Sequence, residues 1–163
     1  MITIVQAVTA HAEGIHAVEQ ESFSDPWSLY SIENEINHEG NICLIAIENN
    51  MVVGYVSMRC IFEEGHINNI AVAKAYRRLG VGSLLFEALV KEAKKCDITA
   101  LTLEVRVGNH AAISLYEKYG FKVEGYRKNY YAFPTEDAAI MWSNLNIYNL
   151  SKPPQGCEHK EHA

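Results

Sequence analysis

The sequence lacks the features that mark secreted and membrane-spanning proteins. Its four cysteines stand without Cys-x-x-Cys spacing, a scatter that favours reduced, mostly buried thiols over a disulfide framework. No apolar run approaches the roughly 18 residues that a membrane-spanning helix needs. The N-terminus has no basic stretch followed by an apolar signal core. We therefore expect a cytoplasmic protein without a membrane partner.

Positive charge is also scarce. The chain has 14 lysines and arginines against 20 aspartates and glutamates, which gives a net charge of -6. Nucleic-acid binding needs a basic face for the phosphate backbone, so we expect no direct nucleic-acid partner. A basic peptide or an amine is easier for this chain to accept. With 163 residues, 48% of them hydrophobic, the chain suits one domain with a sizeable core.

The most informative segment is 69–83, which passes from a strand-like run through Arg-Arg-x-Gly-x-Gly into an apolar helical pattern. Gly80 and Gly82 let the backbone approach a ligand closely. The first amides of the following helix have no carbonyl partner within the helix, so they point at an anion. Arg77 and Arg78 add positive charge at the same place. The segment therefore predicts a cradle for a pyrophosphate group.

Two other phosphate motifs do not fit this segment. A dinucleotide-binding fingerprint needs a third glycine where this chain has Leu85. A P-loop needs Gly-Lys-Ser/Thr, whereas Gly82 is followed by Ser83 and Leu84. Taken alone, the six-residue motif leaves a strand-to-helix turn with incidental glycines as an equal alternative.

The pattern along the chain predicts an α/β fold. Strands are expected over 2–8, 42–47, 51–59, 66–72, 100–106, 121–127 and 138–144. Helices are expected over 9–20, 27–36, from about 78, and over 109–119. Antiparallel hairpins followed by a β-α-β-α-β order indicate a sheet of mixed direction that is covered on both faces.

The composition changes near residue 147 to a polar, proline-broken sequence. We predict a domain over 1–147 and a flexible C-terminal tail over 148–163. Cys157, His159 and His162 are metal-ligand types, but ligands on a disordered end lack a fixed geometry. The sequence therefore predicts no metal site.

Three residues of the second half are candidates for chemistry. Glu104 lies on the polar face of an otherwise apolar strand, where a general base fits, although a solvated glutamate on a half-exposed sheet explains the same pattern. Tyr116 falls on the apolar side of its helix, where core packing is the ordinary role. Asn109 at a helix start caps backbone amides whether or not its side chain also meets a ligand.

Aromatic residues are candidates for the walls of a peptide groove. Trp27, Tyr130 and Tyr131 combine contact area with a polar edge, and plain core packing is the alternative for each. Glu35 is one of a few acidic residues that could meet a basic peptide, with solvated surface as its ordinary role.

Beyond the glycine loop, several blocks carry a close resemblance to a known family. They are Pro26-Trp27-Ser28, Asn69-Ile70-Ala71-Val72, Leu103-Glu104-Val105-Arg106, Asn109-His110-Ala111-Ala112-Ile113, Leu115-Tyr116-Glu117-Lys118-Tyr119-Gly120-Phe121, Arg127-Lys128-Asn129-Tyr130-Tyr131 and Glu136-Asp137-Ala138. In this order they resemble the bacterial ribosomal-protein-alanine N-acetyltransferases of the GNAT superfamily, over roughly residues 1–147.

The resemblance implies a fold, a cosubstrate and roles for residues. The GNAT fold is a mixed, mostly antiparallel sheet of about seven strands flanked by about four helices. The glutamate of Leu-Glu-Val-Arg acts as base and the tyrosine of Leu-Tyr-Glu as acid in that family, which are Glu104 and Tyr116 here. The acceptor is a small-subunit ribosomal protein or its N-terminal peptide. Acetyl-CoA is expected to lie against Ile70, Ala71, Val72, Arg77, Arg78, Leu79, Gly80, Val81, Gly82, Ser83 and Asn109.

Other functions stay open at this stage. A GNAT enzyme for lysine side chains or small amines is the nearest, and a non-catalytic acyl-CoA-binding module is a second. Transfer through Cys60 or Cys96 is a further route on paper, although the sequence indicates no base beside either thiol. The chain departs from relatives at Ala75 or Lys74, where proline is common, and at Gly108, where serine is common. Neither change touches the proposed chemistry.

Overall fold

Seven strands form one sheet in the computed structural model, which describes residues 1–145. The strands are β1 (Thr3–Gln6), β2 (Asn41–Glu48), β3 (Met51–Ile61), β4 (Glu64–Val72), β5 (Ala100–Arg106), β6 (Lys122–Tyr131) and β7 (Glu136–Asn144). The predicted domain end at 147 and the predicted tail over 148–163 lie outside the described residues.

Four α-helices are described within the same residues. They are α1 (Ala12–Ser22), α2 (Leu29–Asn37), α3 (Val81–Lys95) and α4 (His110–Lys118). Short 3₁₀ turns at Thr9–His11 and Lys74–Tyr76 precede α1 and follow β4. Among the helices of residues 1–145, none combines the length and the apolar character that a bilayer crossing requires.

One parallel pair interrupts an otherwise antiparallel sheet. The strand order is β1-β2-β3-β4-β5-β7-β6, and β4 and β5 are the parallel neighbours, which confirms the mixed, mostly antiparallel arrangement. Their pairing runs from Glu64 opposite Ala100 to Ile67 opposite Leu103 and stops there. Beyond it, β4 continues to Val72 paired with β3 alone, so a gap opens between β4 and β5.

Each face of the sheet carries its own core. On one face, α3 and α4 supply residues such as Phe86, Leu89 and Tyr116 to a large apolar cluster. On the other face, α1 and α2 supply Ile15 and Ile32 to a smaller cluster. These two helices pack mainly on β2, β3 and β4. The part of this face that β5 forms therefore lies beside the two helices and not beneath them. The site described below occupies that position.

A bulge in β4 changes which side chains face α1 and α2. The pairing of β4 with β3 skips one residue between Ile67 and Asn69, so Asn68 is an extra residue. Alternation of side chains shifts by one at this point, and both asparagines turn to the same face. There Asn68 Nδ2 donates to Glu35 Oε1 at 2.6 Å, and Asn69 Nδ2 donates to Glu19 Oε2 at 3.0 Å.

The first two helices begin later than the sequence pattern predicts. Thr9 opens a 3₁₀ turn, and α1 itself begins at Ala12. The second helix does not include Trp27, because Ser28 after it has an extended backbone with ψ 159°, and the Trp27 N–H donates to Glu19 Oε1 at 2.8 Å. Ser28 then caps α2.

The third helix also begins later than predicted. Arg78 and Gly80 have positive φ angles of 64° and 84°, which a right-handed helix does not accommodate. The helix therefore starts at Val81, and the residues before it form a loop.

Candidate active site

The unpaired edge of β4 faces the gap between β4 and β5. The Ala73 N–H donates to the Val53 carbonyl of β3 at 2.8 Å. Because the N–H groups of successive residues alternate sides along a strand, Ile70 and Val72 direct theirs into the gap. Ala71, which is also expected to lie against acetyl-CoA, directs its N–H to β3 and therefore offers no backbone donor to the gap.

The N-terminus of α3 provides further donors. Its first helical hydrogen bond runs from the Leu84 N–H to the Gly80 carbonyl at 3.0 Å. The N–H groups of Val81, Gly82 and Ser83 therefore have no partner inside the helix. The Ser83 hydroxyl is buried and has no hydrogen-bond partner within residues 1–145. These donors suit an anion at the helix start, as the predicted pyrophosphate cradle requires.

Gly82 is not required by the packing of the protein itself. A Cβ placed there lies 3.6 Å from Leu115 Cδ2 and 3.9 Å from Val72 Cγ2, both ordinary van der Waals separations. Gly82 is itself buried, and the absence of a side chain removes one obstacle to the close approach of a ligand to the backbone at the helix start.

The two arginines of the loop have different surroundings. Arg77 Nε donates to the Val72 carbonyl at 2.8 Å and its Nη2 donates to Ser22 Oγ at 3.2 Å. Arg77 therefore ties the loop to β4 and to the end of α1. Arg78 is exposed, as are Arg77 and Leu79, and it presents a positive charge to the surface.

Glu104 lies one residue beyond the end of the parallel pairing, at the gap. Its Oε1 is 2.7 Å from His66 Nε2 on β4, and its Oε2 is 3.7 Å from Arg127 Nε on β6. Only 12% of the side chain is exposed, so Glu104 is not an ordinary solvated glutamate of a half-exposed sheet. From the sequence, neither His66 nor Arg127 was assigned a role in the site. Together they hold the carboxylate in a fixed place.

Tyr116 lies on α4 with only 5% of its surface exposed. Its ring packs near Phe86 and Phe121, with ring centroids 6.4 and 5.7 Å away, which agrees with the core position that the helical pattern predicts. Burial, and to a lesser degree the nearby Tyr131, raises the pKa of the Tyr116 hydroxyl. The hydroxyl therefore keeps its proton at neutral pH, as a general acid must.

Tyr130 and Tyr131 lie at the end of β6 near Glu104. Their rings meet edge to face with centroids 4.9 Å apart. The Arg106 guanidinium lies 4.6 Å from the Tyr131 ring centroid, and that of Arg127 lies 5.9 Å from the Tyr130 centroid. Burial raises the pKa of Tyr131 to about 12, and the nearby Tyr130 and Glu104 add to the rise. Two of the three aromatic candidates for the acceptor site thus lie in the same neighbourhood as Glu104.

Trp27 is placed on another part of this face. It is half-buried and lines an open cavity between α2 and strands β2–β4, whose walls include Glu35 and Asn68. Glu35 is held there by hydrogen bonds and is not a freely solvated surface residue.

The loop between β6 and β7 is fastened to the start of α4. Arg106 donates to two carbonyls of this loop, both at 2.9 Å, and to Glu136 Oε1 at 3.1 Å. Glu136 Oε2 accepts from the Gly108 N–H at 2.7 Å, beside Asn109, which caps α4 as expected. The Gly108 N–H, followed by Arg106, holds the pKa of Glu136 below its usual range. Tyr131 and Asn109 are thereby kept in a fixed relation.

Sequence reasoning also misses Glu19, a fully buried carboxylate. It accepts hydrogen bonds from the Tyr55 hydroxyl, from the Trp27 N–H at 2.8 Å and from Asn69 Nδ2 at 3.0 Å. Burial raises the pKa of Glu19, although these hydrogen bonds oppose the rise. The sequence did contain a signal for the burial of Glu19, because Glu19 follows Ile15 by one helical turn on the apolar face of α1. Through these hydrogen bonds, Glu19 on α1 connects that helix to the α1–α2 connection, to β3 and to β4 beside the site.

Within residues 1–145, no group of three or more His, Cys, Asp or Glu side chains is arranged to hold a metal ion. Cys157, His159 and His162 lie outside the described residues.

Comparison with known proteins places the chain among acetyltransferases. The model of the acetyltransferase (GNAT) family matches residues 12–121. The [ribosomal protein bS18]-alanine N-acetyltransferase of Haemophilus influenzae is 35% identical over 144 residues, covering 86% of this chain and 97% of that protein. An N-alpha-acetyltransferase of Saccharolobus solfataricus is 37% identical over 129 residues, covering 71% and 76%. The crystal structure of the ribosomal-protein-S18-alanine N-acetyltransferase from Escherichia coli matches with a TM-score of 0.84 at 31% identity, covering 93% of this chain and 99% of that chain.

Proposed function

The chain belongs to the acetyltransferase (GNAT) family, and from this membership we propose that it transfers acetyl from acetyl-CoA to the N-terminal alanine of a small-subunit ribosomal protein. Relatives from two bacteria carry that acceptor in their names. The observation that carries the proposal is Glu104, held by His66 and Arg127 at the gap between β4 and β5. A ribosomal acceptor implies a cytoplasmic reaction, and the transfer itself needs no nucleic-acid or membrane partner.

An N-terminal amine is the easier acceptor for a carboxylate base. Its reference pKa is about 7.7 to 8.0, whereas that of a lysine side chain is about 10.4. Removing a proton from the N-terminal amine therefore costs much less near neutral pH. This difference favours the N-terminal acceptor over the lysine alternative.

The described residues fit acetyl-CoA, which supplies an acetyl group activated as a thioester. The N–H groups of Val81, Gly82 and Ser83 and the exposed Arg78 would hold its pyrophosphate. The N–H groups of Ile70 and Val72 at the open edge of β4 would hold the acyl arm and polarise the thioester carbonyl. Leu79, Gly80, Ala71 and Asn109 complete the walls that the family resemblance implies, and Arg77 keeps the loop attached to β4.

Glu104 acts as the general base in this proposal. It takes a proton from the protonated acceptor amine, directly or through water, and the neutral nitrogen then forms the new C–N bond with the acetyl carbonyl carbon and releases a second proton to solvent. His66 and Arg127 keep the carboxylate in place while it gains this proton. Tyr130 and Tyr131, on one side, and Trp27, on the other, would form walls for the acceptor peptide.

Tyr116 acts as the general acid. As the C–S bond breaks, the sulfur gains negative charge, and the Tyr116 hydroxyl gives it a proton. A tyrosine hydroxyl is protonated at neutral pH, and burial, which raises the pKa of Tyr116 further, favours the protonated form before the reaction. Glu104 then releases its proton to solvent, and Tyr116 regains a proton from solvent.

Direct transfer between the two substrates is favoured over a route through a cysteine. Burial raises the pKa of Cys60, which disfavours the thiolate that an acyl-enzyme route requires. Cys96 is exposed at the end of α3, at the opposite end of that helix from the proposed pyrophosphate site.

The acceptor type is tested with two versions of one peptide. A basic peptide that starts with alanine and contains one lysine should be acetylated once, at its N-terminus. The same peptide with a blocked N-terminus should not react, because its only amine is the lysine side chain. Mass spectrometry of the products after incubation with acetyl-CoA measures both outcomes. Comparable turnover of the blocked peptide would replace this proposal with a lysine acetyltransferase, and binding of acetyl-CoA without any transfer would indicate a binding module.

Replacing Gly82 with valine should weaken acetyl-CoA binding by at least about tenfold, or about 1.4 kcal/mol. The new side chain would cover the backbone that the pyrophosphate approaches. Calorimetry on the folded variant measures the affinity. Gly125→Val is a matched control, because a Cβ at Gly125 also meets only an ordinary contact, 3.8 Å from Ile140 Cδ1, and lies on β6. Unchanged affinity in Gly82→Val would refute the proposed pyrophosphate site.

A further inference from the structure

One buried carboxylate lies beside the proposed site and takes no part in the proposed mechanism. Glu19 on α1 has 0% of its surface exposed, and within residues 1–145 it is the one fully buried acidic residue. Burying a carboxylate costs free energy unless hydrogen bonds compensate it, and an apolar side chain of similar volume often stabilises a fold as well or better. Stability alone therefore does not account for a glutamate at this position.

The hydrogen bonds of Glu19 lead to both sides of the proposed site. Its Oε1 accepts from the Trp27 N–H at 2.8 Å, and its Oε2 accepts from Asn69 Nδ2 at 3.0 Å and from the Tyr55 hydroxyl. Trp27 is a proposed wall for the acceptor peptide. Asn69 directly precedes Ile70, whose N–H is proposed to hold the acyl arm. A single carboxylate group thus contacts the supports of both substrates.

The bond to Asn69 fixes β4 at a point where regular pairing is interrupted. The bulge at Asn68 lies directly before Asn69, and a bulge disrupts the ladder of hydrogen bonds locally. The Asn69 side chain is held on the face of α1 and α2, whereas Ile70 packs against the core cluster of the opposite face. Anchoring neighbouring residues on opposite faces opposes rotation of the strand about its own axis. This arrangement fixes the direction of the Ile70 N–H into the gap.

The bond to Trp27 fixes the connection between α1 and α2. Helix α1 ends at Ser22 and Ser28 caps α2, so Trp27 lies in a segment outside both helices. Its backbone N–H is held by Glu19, whose own helix packs on β3 and β4. The wall for the acceptor is therefore placed relative to the same strand that holds the acyl arm.

We propose that Glu19 is a positioning residue for acetyl transfer, which fixes the acceptor wall at Trp27 relative to the acyl-arm donor at Ile70. It touches neither substrate and acts through Trp27 and Asn69. The inference rests on the proposed function and adds a residue to it. A misplacement of about 1 Å between reacting groups can cost about 10²-fold in rate, so loosening this link should slow the transfer in a protein that still folds.

The experiment exchanges the acid and the amide of the pair formed by Glu19 and Asn69. Asn69→Asp removes the donor and places a second carboxylate against that of Glu19. Adding Glu19→Gln restores the pair with the roles exchanged, because the amide at position 19 can donate to the carboxylate at position 69, while its oxygen still accepts from the Trp27 N–H. For each folded protein, kcat and KM are measured with a short alanine-starting peptide, acetyl-CoA affinity by calorimetry, and stability by the midpoint of thermal unfolding.

Asn69→Asp is expected to lower kcat/KM for the peptide by at least about tenfold, through both a lower kcat and a higher KM. The double variant should recover to within about threefold of the wild-type protein, as coupled residues do. Acetyl-CoA affinity should change less than kcat/KM, because the proposed pyrophosphate site at the start of α3 has no contact with Glu19. If Asn69→Asp does not fold, Asn69→Ala removes the donor without adding a charge and should show the same loss in kind.

Tyr55→Phe is the control that separates positioning from stability. It removes the third hydrogen bond to the same carboxylate and leaves those from Trp27 and Asn69 in place. The variant should unfold at a lower temperature, because a buried hydrogen bond is lost. Its kcat and KM should nevertheless stay within about twofold of the wild-type values. A purely structural role for Glu19 would instead make activity follow stability in every variant.

Three outcomes would overturn the inference. They are normal kcat and KM in the folded Asn69 variants, failure of the double variant to recover activity, and a loss of activity in Tyr55→Phe as large as that in Asn69→Asp. In each case the wild-type protein would still acetylate the peptide and the proposed function would stand. If the wild-type protein transfers acetyl to no peptide with a free N-terminal alanine, the proposed function itself fails.

Discussion

Replacing Glu104 with glutamine is expected to lower turnover by about 10²- to 10⁴-fold, the range that general acid-base catalysis contributes. Glutamine keeps the size of the side chain and can still accept the hydrogen bond from His66, but it takes no proton. The defect should shrink at high pH, because the acceptor amine, with a reference pKa of about 7.7 to 8.0, is then already neutral. Steady-state kinetics from neutral to alkaline pH measures both effects.

Acetyl-CoA binding separates loss of chemistry from loss of structure in this variant. It should stay nearly normal, because Glu104 is not part of the proposed cofactor site. Glu64→Gln removes the same charge from the exposed start of β4 and should turn over like the wild-type protein. If Glu104→Gln keeps wild-type turnover when chemistry is rate-limiting, the general base lies elsewhere.

Local sequence signals were sufficient for most of the fold. The turn between β2 and β3 is formed by Asn49 and Asn50, which both have positive φ, 52° and 63°, as a tight hairpin turn requires. The alternation of apolar and polar residues in β5 appears as alternating burial over Ala100–Arg106. The GNAT fold and the acetyltransferase class expected from the sequence are confirmed.

Features that depend on partners distant in the sequence were not predictable in the same way. The bulge at Asn68 exists only relative to the register of β3, and the gap beside β4 exists only because its pairing with β5 stops at Ile67. Propensity and periodicity describe one segment at a time. They therefore place β4 correctly without showing that its edge is open.

The same limit applies to the candidate site. The spacing of residues identified Glu104 as a polar residue on an apolar strand, but its partner His66 is 38 positions away, and no local pattern joins the two. Glu19 differs, because its place on the apolar face of α1 is visible in the sequence. A charged residue at such a position is buried only when it is paired, so the pattern alone predicts partners without naming them.

Replacing Tyr116 with phenylalanine is expected to lower turnover by a similar factor, about 10²- to 10⁴-fold, with acetyl-CoA binding retained. The phenyl ring keeps the packing near Phe86 and Phe121, so the fold should persist, while the proton for the departing sulfur is lost. In contrast to Glu104→Gln, alkaline pH should not relieve this defect, because a neutral amine does not replace a missing acid. Rapid-mixing kinetics that resolve the transfer step measure the loss.

Tyr119→Phe provides a closely matched control for this prediction. Tyr119 lies one position beyond α4, is as buried as Tyr116, and packs on the same Phe86 ring with centroids 4.5 Å apart. Its hydroxyl donates to Glu87 Oε1 at 3.1 Å, so it has no role in the proposed transfer. Tyr119→Phe should therefore turn over normally. If both phenylalanine variants lose activity equally, the aromatic cluster supports the fold, and Tyr116 is a core residue that gives no proton.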